Sequence, residues 1–165
     1  STHQETVNTP AFRRLTFLML ALLGLTPLLH AQREKLPMED VEYVEKKWPE
    51  AKRTFTGLRY IILKPGDTQG AMPVSGNEVA VLYKGMLLDG TVFDQSPDEN
   101  SPLRIRLGRG NLIEGWEQAL QKMHKGEKWL LIVPPEMAYG ARGKPPTIKR
   151  NATLVFEMEL VDFKK

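Results

Sequence analysis

The chain has 165 residues, 41% of them hydrophobic and 26% charged, enough to bury one substantial core and hardly two, so a single folded domain is expected. Its 23 Lys and Arg against 20 Asp and Glu leave a net charge of +3 with the bases scattered, a balance that gives no footprint for a nucleic-acid partner. The absence of cysteine excludes a disulfide framework, a thiol nucleophile, a cysteine–zinc site and a lipoprotein anchor, and His3, His30 and His124 are too few for a histidine metal cage, so no metal or cofactor is expected.

The first segment reads as an address. Polar residues end in Arg13-Arg14, an apolar run follows from Leu15 to Leu29, and His30-Ala31-Gln32 supplies a small residue at a cleavage point. This is the pattern of a secretory signal peptide over residues 1–31. The run is shorter than the roughly 20 apolar residues of a membrane span and carries Pro27; the alternative is an uncleaved, membrane-tethering segment. The expected placement is therefore exported, periplasmic or secreted, with no stable membrane insertion once the signal is removed.

Residues 32–56 are an extension with one short helix. Met38 to Trp48 sets Val41, Val44 and Trp48 at helical spacing, with acids early, Lys46-Lys47 late and Pro49 as the stop, a surface helix docked by one apolar edge. From Gly57 the pattern turns to short β-rich runs between turn residues. Leu58 to Leu63 ends at Pro65-Gly66-Asp67; Glu78 to Leu88 ends at Asp89-Gly90, a hairpin signal leading to Thr91-Val92-Phe93. Leu103, Ile105 and Leu107 alternate with Arg104 and Arg106, a strand whose arginines face water.

Ile113 to Met123 carries Ile113, Trp116, Leu120 and Met123 on one helical stripe that must face the sheet. Glu127 to Val133 is apolar on both faces and reads as a central, covered strand. Ala152 to Phe163 alternates Leu154, Phe156, Met158 and Leu160 with Thr153, Glu157 and Glu159, a long half-buried strand with its glutamates in solvent. The expected class is α+β: an antiparallel sheet of five to six strands curved around one short helix, preceded by the N-terminal helix.

Familiar catalytic patterns fail. Gly108-Arg109-Gly110 opens like a dinucleotide loop, but the third glycine would fall at Ile113 and no parallel β-α-β unit follows. His124 stands beside Lys122 and Lys125 at a helix end, a capping or surface position. No G-x-S-x-G elbow occurs, and a metal-dependent hydrolase lacks ligands. What remains is a concentration of Tyr83, Phe93, Leu112, Ile113, Trp116, Tyr139 and Phe156 next to turns, an apolar concavity with polar tips at Tyr83, Asp94 and Tyr139, as small-ligand sites are built.

Four stretches carry a resemblance: Val81-Leu82-Tyr83-Lys84-Gly85 leading to Leu88-Asp89-Gly90-Thr91-Val92-Phe93-Asp94; Leu107 to Trp116; Pro135-Glu136-Met137-Ala138-Tyr139-Gly140; and Ala152 to Phe156. In this order they resemble the FK506-binding-protein (FKBP) type peptidyl-prolyl cis-trans isomerases. The resemblance implies that residues 57–165 form the isomerase domain and that the reaction is X-Pro bond rotation in exported proteins, assisting their folding. It implies catalytic roles for Asp94, Trp116, Tyr139 and Phe93, with Trp116 as the pocket floor and Tyr139 as hydrogen-bond donor to the peptide. Tyr83, Leu103, Leu112, Ile113, Ile148 and Phe156 would surround the substrate. Implied partners are proline-containing unfolded or nascent exported polypeptides, with macrolide inhibitors as further pocket ligands, and a monomer is expected. Departures exist: Glu99 stands where the family has an arginine pairing with the rim aspartate, Leu103 replaces a pocket phenylalanine, and Lys144, Thr147, Lys149 and Arg150 alter the loop after Tyr139. These departures motivate the alternative of a non-catalytic FKBP-like binding or chaperone module.

Overall fold

The fold, taken from a computed structural model, is described for residues 33–165; the expected signal peptide over 1–31 and its cleavage point lie outside the described residues. Two helices, α1 (Met38–Lys47) and α2 (Glu114–Leu120), accompany seven strands: β1 (Lys52–Arg53), β2 (Arg59–Lys64), β3 (Glu78–Leu87), β4 (Val92–Gln95), β5 (Leu103–Arg106), β6 (Lys128–Val133) and β7 (Leu154–Lys164). They form one sheet in the order β1-β2-β6-β7-β3-β4, with β5 also paired to β3. Every pairing is antiparallel, so the class is α+β. The strand beyond the expected six is β1, too short to show a period of its own.

β3 and β7 run the length of the sheet, from Glu78 opposite Lys164 to Leu87 opposite Leu154. The other edge of β3 is shared: its first half pairs with β5 and its second half with β4. That sharing brings Phe93, Asp94, Leu103 and Ile105 to one edge of the sheet although a turn-rich loop separates them in sequence.

The inner face buries Val79, Val81, Trp129, Leu131, Val133, Leu154, Phe156, Met158 and Leu160 against Trp116, Ala119 and Leu120 of α2. Helix α2 lies close on β6, because Gly115 has no side chain: a Cβ there would stand 2.6 Å from Val133 Cγ1. The helix stops at Leu120 rather than Met123. Beyond it the chain tightens to i→i−3 bonds, Lys122 N–H to Ala119 O at 2.9 Å among them, yet Met123 stays fully buried. The apolar stripe thus outlasts the helix that carries it. His124 lies in the following turn, its backbone N–H donating to the Glu127 carboxylate at 2.8 Å.

The cover that the two-sided apolar pattern of β6 demanded is the N-terminal segment. Leu36 and Val44 are buried with Leu130, Ile132 and Val155 on the outer face, joined by Val41 and Trp48. Burying a side chain of this size stabilises by about 1.5–3 kcal/mol. Polar ties fix the same segment: Thr153 Oγ1 donates to Asp40 Oδ2 at 2.7 Å, Tyr43 Oη to the Leu88 carbonyl at 3.2 Å, and Lys35 pairs with Glu136. The remainder of the outer face is charged. Glu157 and Glu159, expected in solvent, are half-buried and paired across strands with Lys128 at 3.1 Å and Lys64 at 3.0 Å, because the neighbouring strands present lysines on the same face.

Candidate functional site

The inner-facing residues of β5 grade from buried to open along the strand. Leu107 just beyond its end is fully buried, while Leu103 at its start is 37% exposed. Leu103 keeps the register of Ile105 and Leu107 but lies open, so apolar surface is left exposed there. This opening is a cavity of about 600 Å³ lined by Tyr83, Phe93, Asp94, Leu103, Leu112, Ile113, Trp116, Tyr139 and Phe156, with Ile105, Gly110, Asn111, Glu114 and Ala138 completing the wall. The size falls within the roughly 300–1,000 Å³ of small-molecule sites.

Its floor is Trp116, on the first turn of α2 and 5% exposed. The indole is held edge-on by Tyr83 at 5.0 Å and by Phe156 at 5.4 Å between ring centres, and Phe93 meets Phe156 edge-on at 5.7 Å. Such edge-to-face contacts are worth about 0.5–1.5 kcal/mol beyond burial. Among the described residues Trp116 Nε1 has no hydrogen-bond partner, so ring packing alone sets the floor. The two phenylalanine walls fit because Gly85 lies between them: a Cβ there would come within 2.7 Å of Phe93 Cζ and 2.9 Å of Phe156 Cε1.

Beside the Trp116 indole N–H, the polar side chains of the lining are Tyr83, Asp94, Asn111, Glu114 and Tyr139. The Tyr83 hydroxyl donates to Asp94 Oδ2 at 3.0 Å, and burial, helped by that acceptor and its charge and by Tyr139, pushes the Tyr83 hydroxyl up to about 12. It therefore remains a donor through neutral pH. Tyr139 follows the short 3-10 turn Pro135–Met137, lines the cavity, and spends its hydroxyl on no protein partner among the described residues. Glu114 accepts from Gln118 Nε2 at 2.8 Å.

The structure thus brings together Asp94, Trp116, Tyr139, Phe93, Tyr83, Leu103, Leu112, Ile113 and Phe156. Ile148 stands apart: it is 2% exposed and belongs to the core, where its backbone pairs in both directions with Lys144, so it shapes the loop and does not line the wall. Glu99 lines a charged groove with Lys64, Lys84 and Glu157, not this cavity. Ile105 was legible as an inward position of its strand but had no pocket assigned to it; Gly85 and Glu114 carried no signal that separates them from turn and surface residues. Among the described residues no cluster of His, Asp or Glu could hold a metal ion, and no helix is long and apolar enough to cross a membrane.

Comparison with known proteins gives one family. Residues 70–161 match the family described as FKBP-type peptidyl-prolyl cis-trans isomerase. The chain is 44% identical over 108 residues to FK506-binding protein 1 of Dictyostelium discoideum, covering 66% of this chain and 99% of that protein. It is 43% identical over 134 residues to peptidyl-prolyl cis-trans isomerase FKBP4 of Homo sapiens, covering 81% of this chain but 28% of the relative. The crystal structure of FkpA from Escherichia coli superposes with a TM-score of 0.67 at 42% identity, covering 76% of this chain and 58% of that one. The chain thus spans less than two thirds of the length of the human and Escherichia coli proteins.

Proposed function

The chain belongs to the FKBP-type peptidyl-prolyl cis-trans isomerases, and from that premise we propose that it rotates X-Pro bonds in the cavity floored by Trp116, acting on exported polypeptides as they fold. The observation that carries the reading is the pairing of an aromatic-walled cavity with a Tyr139 hydroxyl that has no partner among the described residues.

The chemistry fits that site. Amide resonance sets a rotation barrier of about 18–20 kcal/mol, and it places charge on the carbonyl oxygen that water stabilises. Transfer of the imide onto Trp116, Phe93 and Phe156 replaces that water with apolar surface and favours the twisted, less polar amide; catalysis then consists of binding the twisted form better than the planar one. Neither a nucleophile nor a proton relay is needed. Tyr139 would hold the peptide backbone while the prolyl ring sits on the indole, and Tyr83 and Asp94 fix the rim.

We assign catalysis to residues 57–165, with 33–56 packed on the outer face as a supporting strap. The exported setting rests on the basic and apolar pattern of residues 1–31; N-terminal sequencing of the protein recovered from fractionated cells tests it, a start near Gln32 in the extracytoplasmic fraction being the expected result. The activity is tested by a cis-to-trans assay of the full chain on X-Pro-Phe peptides with Trp116→Leu alongside. Acceleration that the variant loses is expected. A flat trace from folded wild-type protein would overturn the isomerase and leave the binding module.

A further inference from the structure

Four cations and no acid occupy the loop from Ala141 to Arg150: Arg142, Lys144, Lys149 and Arg150. All four are exposed, and the loop leaves directly from the cavity wall after Tyr139. Lys144 reaches back over that wall, its Nζ lying 5.5 Å from the centre of the Tyr139 ring. From this juxtaposition we infer that the loop makes the cavity selective for prolyl bonds flanked by an acidic residue, with Lys144 as the residue that reads the flanking charge. The inference deepens the isomerase reading and rests on it.

The loop is held in place, so its charges have a fixed address. Lys144 N–H donates to Ile148 O at 2.8 Å and Ile148 N–H returns to Lys144 O at 3.0 Å, around an Ile148 side chain sunk in the core. Asn151 N–H closes onto Gly140 O at 2.8 Å, and Arg150 Nε onto Ala141 O at 3.0 Å. Gly143 takes a φ of +65° at a point where a Cβ would meet Ile148 O at 2.5 Å, which ties the turn to glycine.

Lys144 is the loop cation that meets the cavity wall, while Arg142, Lys149 and Arg150 line a neighbouring depression with Pro145 and Pro146; the charges of cavity and loop are unequally committed. Its two acids already hold donors, Asp94 from Tyr83 and Glu114 from Gln118. Among the described residues no ion pair joins Arg142, Lys144 or Arg150 to a carboxylate. The Asp89 carboxyl is lowered chiefly by hydrogen bonds from Thr91, with a smaller contribution from the Lys149 charge. A cation over an aromatic face is stabilised by the ring quadrupole, so Lys144 rests over the Tyr139 ring, beside the group that would anchor the peptide. A carboxylate on the substrate beside the proline gains from this field, and a lysine or arginine there is repelled.

The test measures kcat/KM of the full chain by NMR exchange on peptides in which the residue before the proline is Glu, Gln or Lys, and on a second set varied after the proline. In one set the Glu peptide should exceed the Lys peptide by about threefold to tenfold at low salt, and the ratio should shrink as ionic strength rises toward about 0.5 M. Lys144→Glu should bring the ratio to one or below it. Arg142→Glu, which alters the same field without touching Tyr139, should lower the ratio if the first variant fails to fold. Acceleration of all peptides with a Glu-to-Lys ratio near one in both sets, or with a ratio insensitive to salt and to both variants, would overturn the inference and leave the isomerase standing. No acceleration of any peptide would overturn both.

Discussion

The carboxylate of Glu34 and the guanidinium of Arg59 meet at 2.9 Å, joining the first described residues to the start of β2. Arg59 is 7% exposed, and the same carboxylate accepts Arg53 at 3.3 Å and the backbone N–H groups of Lys35 and Leu36 at 2.9 Å each. Burial alone would raise this carboxyl, but the backbone donor of Leu36, the Arg59 charge and the remaining partners outweigh it and hold the group below its ordinary 4.5. A depressed folded-state value stabilises the fold above the ordinary carboxylate range and ceases to do so as pH falls through the lowered value. Glu34→Gln should therefore lower Tm at neutral pH and converge with wild type in acid, a pattern that differential scanning calorimetry across pH will detect; parallel curves at all pH values would refute it.

Thr153 and Asp40 tie α1 to the residue just before β7, three residues ahead of the cavity wall at Phe156 on the same chain segment. Thr153 is 3% exposed, so removing its partner strands a buried hydroxyl. Asp40→Ala should cost about 1–3 kcal/mol, and Thr153→Val, which removes the hydroxyl as well, should cost less. Urea denaturation of both singles and the double gives the coupling; additive losses would show that the pair contributes nothing.

Tyr139→Phe removes a hydroxyl that the described fold does not use. Stability should stay within about 0.5 kcal/mol of wild type, while kcat/KM for X-Pro peptides falls about tenfold through loss of one hydrogen bond to the substrate. Equal turnover by the two proteins would remove Tyr139 from the site.

Gly85→Ala should damage the cavity from behind. Its new Cβ overlaps the Phe93 and Phe156 rings, and overpacking of this kind costs about 1–3 kcal/mol. The walls must separate, so kcat/KM should fall more than Tm predicts. A variant with normal kcat/KM would mean that the rings relax freely.

The Tyr83 hydroxyl should ionise well above the ordinary tyrosine range. With its value pushed up to about 12, its stabilising contribution is fully present below the ordinary tyrosine value near 10 and is lost as pH rises through about 12. Asp94→Asn should bring the ionisation down only part of the way, because burial, the larger cause, remains. Phenolate absorbance titration of wild type, Tyr83→Phe and Asp94→Asn reads both effects.

The sequence by itself determined the α+β class, the course of the long strands to within about two residues of their ends and the aromatic set of the cavity. Periods of two and of 3.6 are local, so Leu154 to Leu160 and Ile113 to Leu120 announce their buried faces without knowledge of their partners. It also registered that Glu127 to Val133 needed cover on both sides. Only the tertiary structure decided that α1 supplies that cover, because an apolar edge such as Val41, Val44 and Trp48 fits any apolar surface of matching shape. The same limit applies at the cavity. The alternation of Leu103, Ile105 and Leu107 fixes which way they point, but whether anything lies above them depends on the packing of the rest of the chain, which makes Leu107 core and Leu103 part of the cavity lining. Ile148 shows the reverse case: its segment reads as loop, and the paired backbone of Lys144 and Ile148 carries its side chain into the core cluster that backs the cavity. Directions along the chain are properties of the backbone; which directions meet is a property of the packed whole.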